Sequence, residues 1–351
     1  MPPVPASVAA ALARAEHLSC PLCRGDDAHP LWFRPLEADR AVDAHLAPPD
    51  APGWWVVRCA RCGLGRVDPL PLEADLAAMY DESYHTPGAF AGIAHQGGIG
   101  GQLHLYDRPG GRQASLRWHG QRLARIERAG FINATSRPTR GRLLDVGCGA
   151  GYFLDAARAA GWQVAGVELS EAAAAAARSD LGLDVFTGAL VEAGFPTNDF
   201  DLITMFEVLE HMRDPGAALS EAFRLLRPGG LLAVEVPNDM DAYRAALACA
   251  DQRWWVIPPV HIYYFNASSL SRWLLMSGFE PVHLSTEGSV GSDLLSQLRG
   301  HGRQASHWIV ASVRRLLAPV DWMLARTGRH SELIILAQKR ASLPSPSPPV
   351  S

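Results

Sequence analysis

The sequence has no uninterrupted apolar run long enough to cross a lipid bilayer, so we expect no membrane-spanning helix. It has no excess of basic residues either: 32 lysines and arginines stand against 36 acidic residues, for a formal net charge of −4. This balance argues against nucleic acid as the main partner. The first residues, Met-Pro-Pro-Val-Pro-Ala, lack the basic and long apolar segments of a signal peptide, so we expect a cytoplasmic protein. Lys339 is the only lysine, a bias typical of a GC-rich genome, and no function follows from it.

The composition suits a globular protein with one large and one smaller domain, because 48% of the residues are hydrophobic and 19% are charged. We expect an N-terminal metal-binding module over residues 1–85 and an α/β domain over 141–340. Between them, residues 86–140 hold a Gly-rich loop, interpreted as a linker or as a lid, and an amphipathic helix at 112–129. The Ser/Pro-rich segment 341–351 is predicted to be a disordered tail.

Four of the six cysteines form two C-x-x-C pairs, Cys20-Pro-Leu-Cys23 and Cys59-Ala-Arg-Cys62. Each pair directs two sulfur atoms at one point, and two pairs supply the four soft ligands of a tetrahedral zinc site. Four thiolates leave no open position, so the zinc would be structural. Free thiols and disulfides are the alternatives, and a reducing cytosol disfavours disulfides. The pattern therefore favours a small zinc ribbon, with Cys148 and Cys249 as ordinary buried cysteines.

From residue 142 onward, strand patterns alternate with helical ones. We predict helices at 151–160, 170–181, 214–227 and 268–277, and strands at 142–147, 163–168, 183–186, 201–206, 230–236, 280–286 and 332–338. This alternation predicts a parallel sheet with right-handed crossovers. Arg227-Pro-Gly-Gly230 is interpreted as the end of a helix just before the next strand.

The most informative segment is Leu143–Gly151, an apolar strand that ends in a turn with glycines at 147, 149 and 151. Helical residues follow, so their free N–H groups face the turn, where a ligand can touch bare backbone. The next strand leads to Glu168, whose carboxylate can accept hydrogen bonds from both hydroxyls of a ribose. The combination predicts a Rossmann-like nucleoside site. A dinucleotide motif needs glycine where Tyr152 stands, so NAD is the weaker interpretation, and a structural turn is the other alternative.

This segment resembles motif I of the class I S-adenosylmethionine (SAM) methyltransferases. Phe200–Asn238, with Glu207-Val-Leu-Glu-His211, resembles their small-molecule, ubiquinone-methyltransferase-like group, and the resemblance covers most of 142–287. It implies a Rossmann-like α/β fold with an antiparallel last strand, and SAM as cofactor. Many members carry an acid at the position of Ala189 to hold the adenine amine, and this chain does not. Position by position, the resemblance implies a cofactor site made of Asp145, Gly147, Cys148, Gly149, Gly151, Tyr152, Glu168, Leu169, Ala189, Leu190, Met205, Phe206 and Glu207.

The cysteine pairs, followed by Pro69-Leu-Pro71 and Tyr80-Asp-Glu-Ser-Tyr84, resemble a narrower set of zinc-bearing methyltransferases among sugar and polysaccharide enzymes. That set includes nucleotide-sugar C-methyltransferases, whose base is a histidine followed by aromatic residues, as in His261-Ile-Tyr-Tyr-Phe265. Val260 stands where those enzymes have glutamate, and their large C-terminal domain is missing. The resemblance therefore favours O-methylation of a sugar, nucleotide-sugar or glycan acceptor.

Two histidines are candidates for the general base that a hydroxyl acceptor needs, His261 and His211. Both follow predicted strands, at the edge of the sheet where ligands bind in open α/β folds. Either could instead be a structural histidine.

Other functions remain open. The acceptor could be a quinone or lipid-like phenol, or RNA held by the zinc ribbon, or the chain could bind SAM without transferring a methyl group. The helix predicted at 303–326 carries arginines beside an apolar face, so it packs on its own domain or makes peripheral contact with a membrane surface.

Overall fold

The computed structural model describes residues 19–35, 53–68, 70, 110–130, 141–238, 240, 261–288, 290 and 307–340. Most of the Gly-rich loop, Cys249 and the predicted tail at 341–351 lie outside the described residues.

The described residues form eleven strands and six α-helices. The strands are β1 (Ala28–Pro35), β2 (Gly53–Cys59), β3 (Gly65–Asp68), β4 (Arg142–Val146), β5 (Gln163–Glu168), β6 (Val185–Thr187), β7 (Phe200–Phe206), β8 (Leu226–Pro237), β9 (Tyr263–Tyr264), β10 (Phe279–Glu287) and β11 (Glu332–Lys339). The helices are α1 (Gly111–Gly130), α2 (Tyr152–Ala159), α3 (Glu171–Leu181), α4 (Pro215–Leu225), α5 (Ala267–Met276) and α6 (His307–Thr327). Two short 3₁₀ turns, Leu190–Glu192 and Leu209–His211, follow β6 and β7.

A seven-stranded sheet in the order β10-β11-β8-β7-β4-β5-β6 is the framework of the large domain. The pairs around β4, β5, β6, β7 and β8 are parallel, and β11 is antiparallel to both of its neighbours. Strand β4 is nearly continuously buried, as expected for a parallel strand covered on both faces. The predicted Rossmann-like α/β fold with an antiparallel last strand is confirmed.

The start of β8 corrects one prediction. Helix α4 ends at Leu225, and Arg227-Pro-Gly-Gly230 lies inside β8 rather than at a helix end. Phe200 of β7 pairs with Leu226, and the register then shifts before Leu202 pairs with Leu231. This irregularity accommodates the proline and Gly229, whose φ of 77° suits glycine.

Helices cover both faces of the sheet. Leu123 and Ile126 of α1 pack with α2 and α3 on one face, as predicted for the 112–129 helix. Leu219 of α4 and Leu270 of α5 pack on the other face. The carboxyl ends of β4, β5 and β7 are left at one edge of the sheet, which is where the predicted site residues lie.

The cysteine-rich segment forms a second, antiparallel sheet in the order β1-β2-β3-β9. Its fourth strand, β9, comes from the large domain, since Gly65 and Arg66 pair with Tyr264 and Tyr263. The amide of Val67 also donates to the carbonyl of Ile262 at 2.8 Å. The segment that carries His261 is therefore held directly by the cysteine-rich sheet, a connection that the sequence did not predict.

Helix α6 packs through only part of its predicted apolar face. Leu324 is buried, but Leu316 is 78% exposed and Val320 is 37% exposed. Among the described residues, no helix has both the length and the apolar character required to cross a membrane.

Candidate functional site

The turn between β4 and α2 presents bare backbone at the sheet edge. The amides of Gly147 and Cys148 both donate to the carbonyl of Val167, at 2.8 and 3.1 Å, which holds the turn against β5. Gly149 has a φ of 54°, and a Cβ atom at this position would meet nothing within 4 Å. By contrast, a Cβ at Gly147 would lie 2.3 Å from Val208. Gly147 is thus required for close packing, whereas Gly149 leaves open space for a ligand.

The side chains of Cys148 and Tyr152 do not line this open space. Both residues are buried, and the Cys148 sulfur packs against Gly166 in the core. Burial raises the pKa of the Cys148 thiol well above its ordinary value, so the thiol stays protonated. Cys148 can reach a ligand only through its backbone.

Glu168 lies at the end of β5 and faces the glycine turn. Its Oε2 accepts a hydrogen bond from the Gly149 amide at 2.8 Å, and its Oε1 accepts one from the Ser170 amide at 2.9 Å. Burial raises the pKa of this carboxyl, and the backbone hydrogen bonds partly offset that rise. Each carboxylate oxygen can accept a further hydrogen bond, so an oriented acceptor remains for a diol.

Asp145 is buried beneath the turn at the end of β4. Its Oδ1 accepts a hydrogen bond from the Thr204 hydroxyl at 2.6 Å. Burial raises the pKa of Asp145 to about 7, against the lowering effects of Thr204 and Arg122. Asp145 therefore changes its charge close to neutral pH.

Several carboxyl groups lie around Glu207, just after the end of β7. Met205 is fully buried, and the ring of Phe206 lies 3.6 Å below the Arg122 guanidinium. Glu207 has a φ of 54°, a left-handed conformation that is unusual for glutamate and typical of functional sites. Although Glu207 is exposed at the cleft, its pKa is raised well above the ordinary value by desolvation and by Glu332, Glu210 and Glu235. A cation beside this carboxyl group would favour its ionised form.

The predicted cofactor-binding residues near β6 differ in whether their side chains or only their backbone can reach a ligand. Leu190 is buried in the core, whereas Leu169 and Val191 are 53% and 59% exposed. Ala189 offers no carboxylate, but the Glu192 Oε2 accepts a hydrogen bond from the Ala189 amide at 2.8 Å. Glu192 therefore places an acid beside the position that lacks one. Glu192 was not among the predicted site residues, because its only signal in the sequence is the three-residue spacing from Ala189.

The two predicted bases, His211 and His261, lie next to each other. Their rings meet edge to face at 4.8 Å between centroids. The Nε2 of His211 is 3.6 Å from the Oε1 of buried Glu210, and the Ile262 amide donates to the Glu210 carbonyl at 2.8 Å. Burial, followed by the charge of His211, lowers the pKa of His261 well below its ordinary value, so His261 is a neutral imidazole at pH 7.

Donor atoms of Glu210, His211 and His261 all lie within 4.8 Å of one another. A carboxylate with two imidazoles can orient a proton acceptor or hold a divalent metal ion. Glu210 was not predicted as a site residue, because a glutamate in a fully buried position is recognised only in the folded structure.

The four predicted zinc ligands converge. The sulfur of Cys20 is 3.5 Å from that of Cys62, and the sulfur of Cys23 is 3.5 Å from that of Cys59. All four sulfur atoms lie within 4.8 Å of one another. Tetrahedral zinc with bonds of about 2.3 Å needs sulfur separations of about 3.8 Å, so the cluster fits the ion with small adjustments.

Much of the chain is similar in sequence to known proteins. A family model described as a methyltransferase domain matches residues 117–284. Over 187 residues the chain is 30% identical to the Mycolicibacterium smegmatis "Probable S-adenosylmethionine-dependent methyltransferase", covering 51% of this chain and 66% of that protein. Over 192 residues it is 30% identical to the ubiquinone biosynthesis O-methyltransferase of Methylococcus capsulatus, covering 52% of this chain and 79% of the relative.

A crystal structure of a SAM-dependent methyltransferase from Archaeoglobus fulgidus is 18% identical, with a TM-score of 0.44, covering 64% of this chain and 94% of that one. Of the M. smegmatis relative, the chain spans 66% of the length, just under two thirds.

Proposed function

Since the chain belongs to the S-adenosylmethionine-dependent methyltransferase family, we propose that it transfers the methyl group of SAM to a hydroxyl of a small molecule. One observation carries this proposal. An oriented carboxylate, Glu168, and an open glycine turn lie together at the carboxyl edge of a parallel sheet.

The cofactor residues would act mainly by binding and orientation. Glu168 would accept hydrogen bonds from the ribose hydroxyls, and exposed Leu169 and Val191 would lie against the adenine, with Glu192 in reach of its amine. Asp145 and Glu207 would face the cationic methionine end. SAM supplies an activated methyl group, so alignment of the acceptor with that group provides much of the rate acceleration.

His261 would take the proton of the acceptor hydroxyl as the new carbon–oxygen bond forms and the carbon–sulfur bond breaks. A base with a lowered pKa is already unprotonated at pH 7, which this role requires. His211 and Glu210 would hold the ring of His261 in place.

For the acceptor, we favour a sugar, nucleotide sugar or glycan, because the cysteine pairs and the His261 segment together resemble the zinc-bearing sugar methyltransferases. A phenolic or quinone-like acceptor is the second candidate, since the relative from M. capsulatus is named as a ubiquinone biosynthesis O-methyltransferase. Incubation of the purified protein with SAM and with nucleotide sugars, phenols or RNA separates these functions. Absence of S-adenosylhomocysteine with every acceptor would argue for a SAM-binding protein without transfer activity.

The cofactor assignment predicts that Glu168→Ala lowers SAM affinity at least tenfold in calorimetry. The reason is that charge-assisted hydrogen bonds contribute roughly 1.5–3 kcal/mol each, and two are lost. Glu168→Gln keeps one carbonyl acceptor for the backbone amides and should lose less. Glu171→Ala, on the exposed start of α3, is the matched control. Unchanged affinity in Glu168→Ala would refute the nucleoside assignment.

The raised pKa of Asp145 predicts that SAM affinity and the stability of the fold both depend on pH. Its pKa of about 7 means that the carboxyl is ionised only above neutral pH, so SAM affinity should rise with pH through about 7. The gain should be on the order of tenfold, one charge-assisted hydrogen bond to a cationic ligand. The raised pKa also means that the folded protein holds a proton that the unfolded chain has lost, so this group lowers stability as pH rises from about 4 to 7. Asp145→Asn should therefore remove the pH dependence of SAM affinity near 7 and raise the melting temperature at pH 8.

Helix α6 suggests a further contact. Leu316, Met323 and Trp322 are exposed beside Arg315 and Arg326, a combination that suits an anionic membrane surface. Co-sedimentation with phosphatidylglycerol vesicles but not with neutral phosphatidylcholine vesicles would support peripheral binding. Equal recovery in the supernatant with both would contradict it.

A further inference from the structure

A cavity of about 570 Å³ lies where the cysteine-rich sheet meets the start of α5. Its volume is in the range of small-molecule pockets, about 300–1,000 Å³. It is separate from the glycine turn and belongs to neither the proposed cofactor site nor the sulfur cluster alone. Its lining consists of His29, Arg58, Cys59, Ala60, Cys62, Gly63, Asn266 and Ser268.

Two side-chain donors converge in this cavity beside Gly63. Gly63 has a φ of 75°, as the turn after the second cysteine pair requires, so no side chain fills the space next to it. A Cβ atom placed there would be 3.3 Å from the Arg58 Nη2 and 3.6 Å from the Asn266 Nδ2. Two hydrogen-bond donors therefore lie near one small space beside Gly63.

Neither donor has an acceptor in the described part of the chain. Asn266 is only 5% exposed, and its Oδ1 caps α5 by accepting from the Ser269 amide at 2.8 Å, which leaves the Nδ2 directed into the cavity. No hydrogen bond or ion pair joins the guanidinium of Arg58 to another described residue. Arg58 is half-buried and Asn266 is largely buried, so both donors remain available to an acceptor from outside the chain.

The start of α5 adds further donors. The amides of Ala267 and Ser268 belong to the first turn of a ten-residue helix and have no intrahelical acceptor. The positive end of the helix dipole points the same way. Helix N-termini with free amides bind phosphate groups.

The lining combines an arginine with two of the four cluster cysteines, Cys59 and Cys62. His29 and Arg58 are direct cross-strand partners in β1 and β2, and none of the lining residues is acidic. Arginine binds phosphate oxygens with two parallel hydrogen bonds. The alternative role of an arginine beside four thiolates is to offset their negative charge. The Arg58→Gln variant distinguishes this role from phosphate binding.

We propose that this cavity binds a phosphoryl or diphosphate group of a phosphorylated small molecule, with Arg58, Asn266 and the first turn of α5 as ligands. The link to the acceptor rests on the proposed methyl transfer. Asn266 follows His261 by five residues, which span at most about 17 Å when fully extended. A nucleotide-linked acceptor held here by its diphosphate would thus bring its other end toward His261.

Calorimetry with inorganic pyrophosphate, on the full-length zinc-loaded protein, tests the site. Wild-type protein should bind pyrophosphate, and Arg58→Gln should weaken that binding at least ~10-fold, since a charged hydrogen-bond donor is lost. Asn266→Asp should weaken it as strongly, because this variant keeps the helix cap but turns the facing donor into an acceptor. Arg61→Gln, an exposed arginine of the same turn that is absent from the lining, is the control and should bind normally.

Zinc content, melting temperature and SAM affinity are measured for each variant. They should stay at wild-type values, which distinguishes this site from the proposed cofactor site. Uridine diphosphate should bind more tightly than pyrophosphate if the acceptor is nucleotide-linked, and equally if the site recognises the diphosphate alone. Absence of pyrophosphate binding by wild-type protein, or undiminished binding by both Arg58→Gln and Asn266→Asp, would overturn the proposal. Zinc loss in Arg58→Gln with unchanged pyrophosphate affinity would assign Arg58 to the thiolate cluster instead.

Discussion

His261→Ala is expected to lower methyl transfer by at least about 10²-fold while SAM affinity stays within about twofold, because the imidazole is proposed to act on the acceptor and not on the cofactor. Burial and neighbouring His211 keep His261 neutral, and the backbone of Ile262 is bonded to Glu210 and to Val67. These bonds hold the backbone beside His261, and the His211 ring packs against its imidazole. Turnover is measured with saturating SAM and the acceptor that gives product with wild-type protein.

The lowered pKa of His261 also fixes the sign of the pH dependence. Protonation would inactivate the base, and it occurs only well below the ordinary histidine value, so the base stays active as pH falls through 6.5. His211→Ala is the matched control, because the two rings are in contact. Loss of turnover in His211→Ala but not in His261→Ala would reverse the two roles. Normal turnover in both would leave alignment as the source of catalysis.

Local sequence signals predicted the framework of the fold well. The strand, glycine turn and helix of Leu143–Ala159 are encoded by neighbouring residues, and each lies where the pattern indicated. The antiparallel position of β11 followed from family resemblance rather than from periodicity. The start of β8 was misplaced because a proline and two glycines inside a strand look like a helix end, and only pairing with β7 reveals the bulge.

Site residues supplied by distant contacts were harder to predict. The sequence identified Glu168 and both histidines as candidates, and the fold brings the histidines together. It could not predict Glu192 or Glu210, because their significance depends on a hydrogen bond to Ala189 and on burial beside His211. The pairing of β3 with β9 could not be predicted from the sequence either, since a strand of two residues has no periodicity.

The second large effect concerns zinc, because the pairing of β3 with β9 connects the cysteine-rich sheet to the segment that carries His261. The four sulfur atoms fit a tetrahedral ion, and structural zinc in small domains contributes apparent binding free energies of roughly 10–16 kcal/mol. β2 ends at Cys59 and β3 begins at Gly65, so both strands adjoin the second cysteine turn. We therefore expect elemental analysis to find about one zinc per chain, and Cys59→Ser to release it.

Release of the zinc should also displace the proposed base, His261. β3 holds β9 through Gly65 and Arg66, and Val67 is bonded to Ile262, the residue after His261. A displacement of about 1 Å at a reacting group can cost 10²-fold in rate, so Cys59→Ser should lower turnover by about that factor. SAM affinity should change little, because Glu168 and the glycine turn are held by β4 and β5. Cys148→Ala removes a thiol outside the cluster and should keep its zinc. Full turnover in a folded, zinc-free protein would contradict both the metal assignment and this coupling.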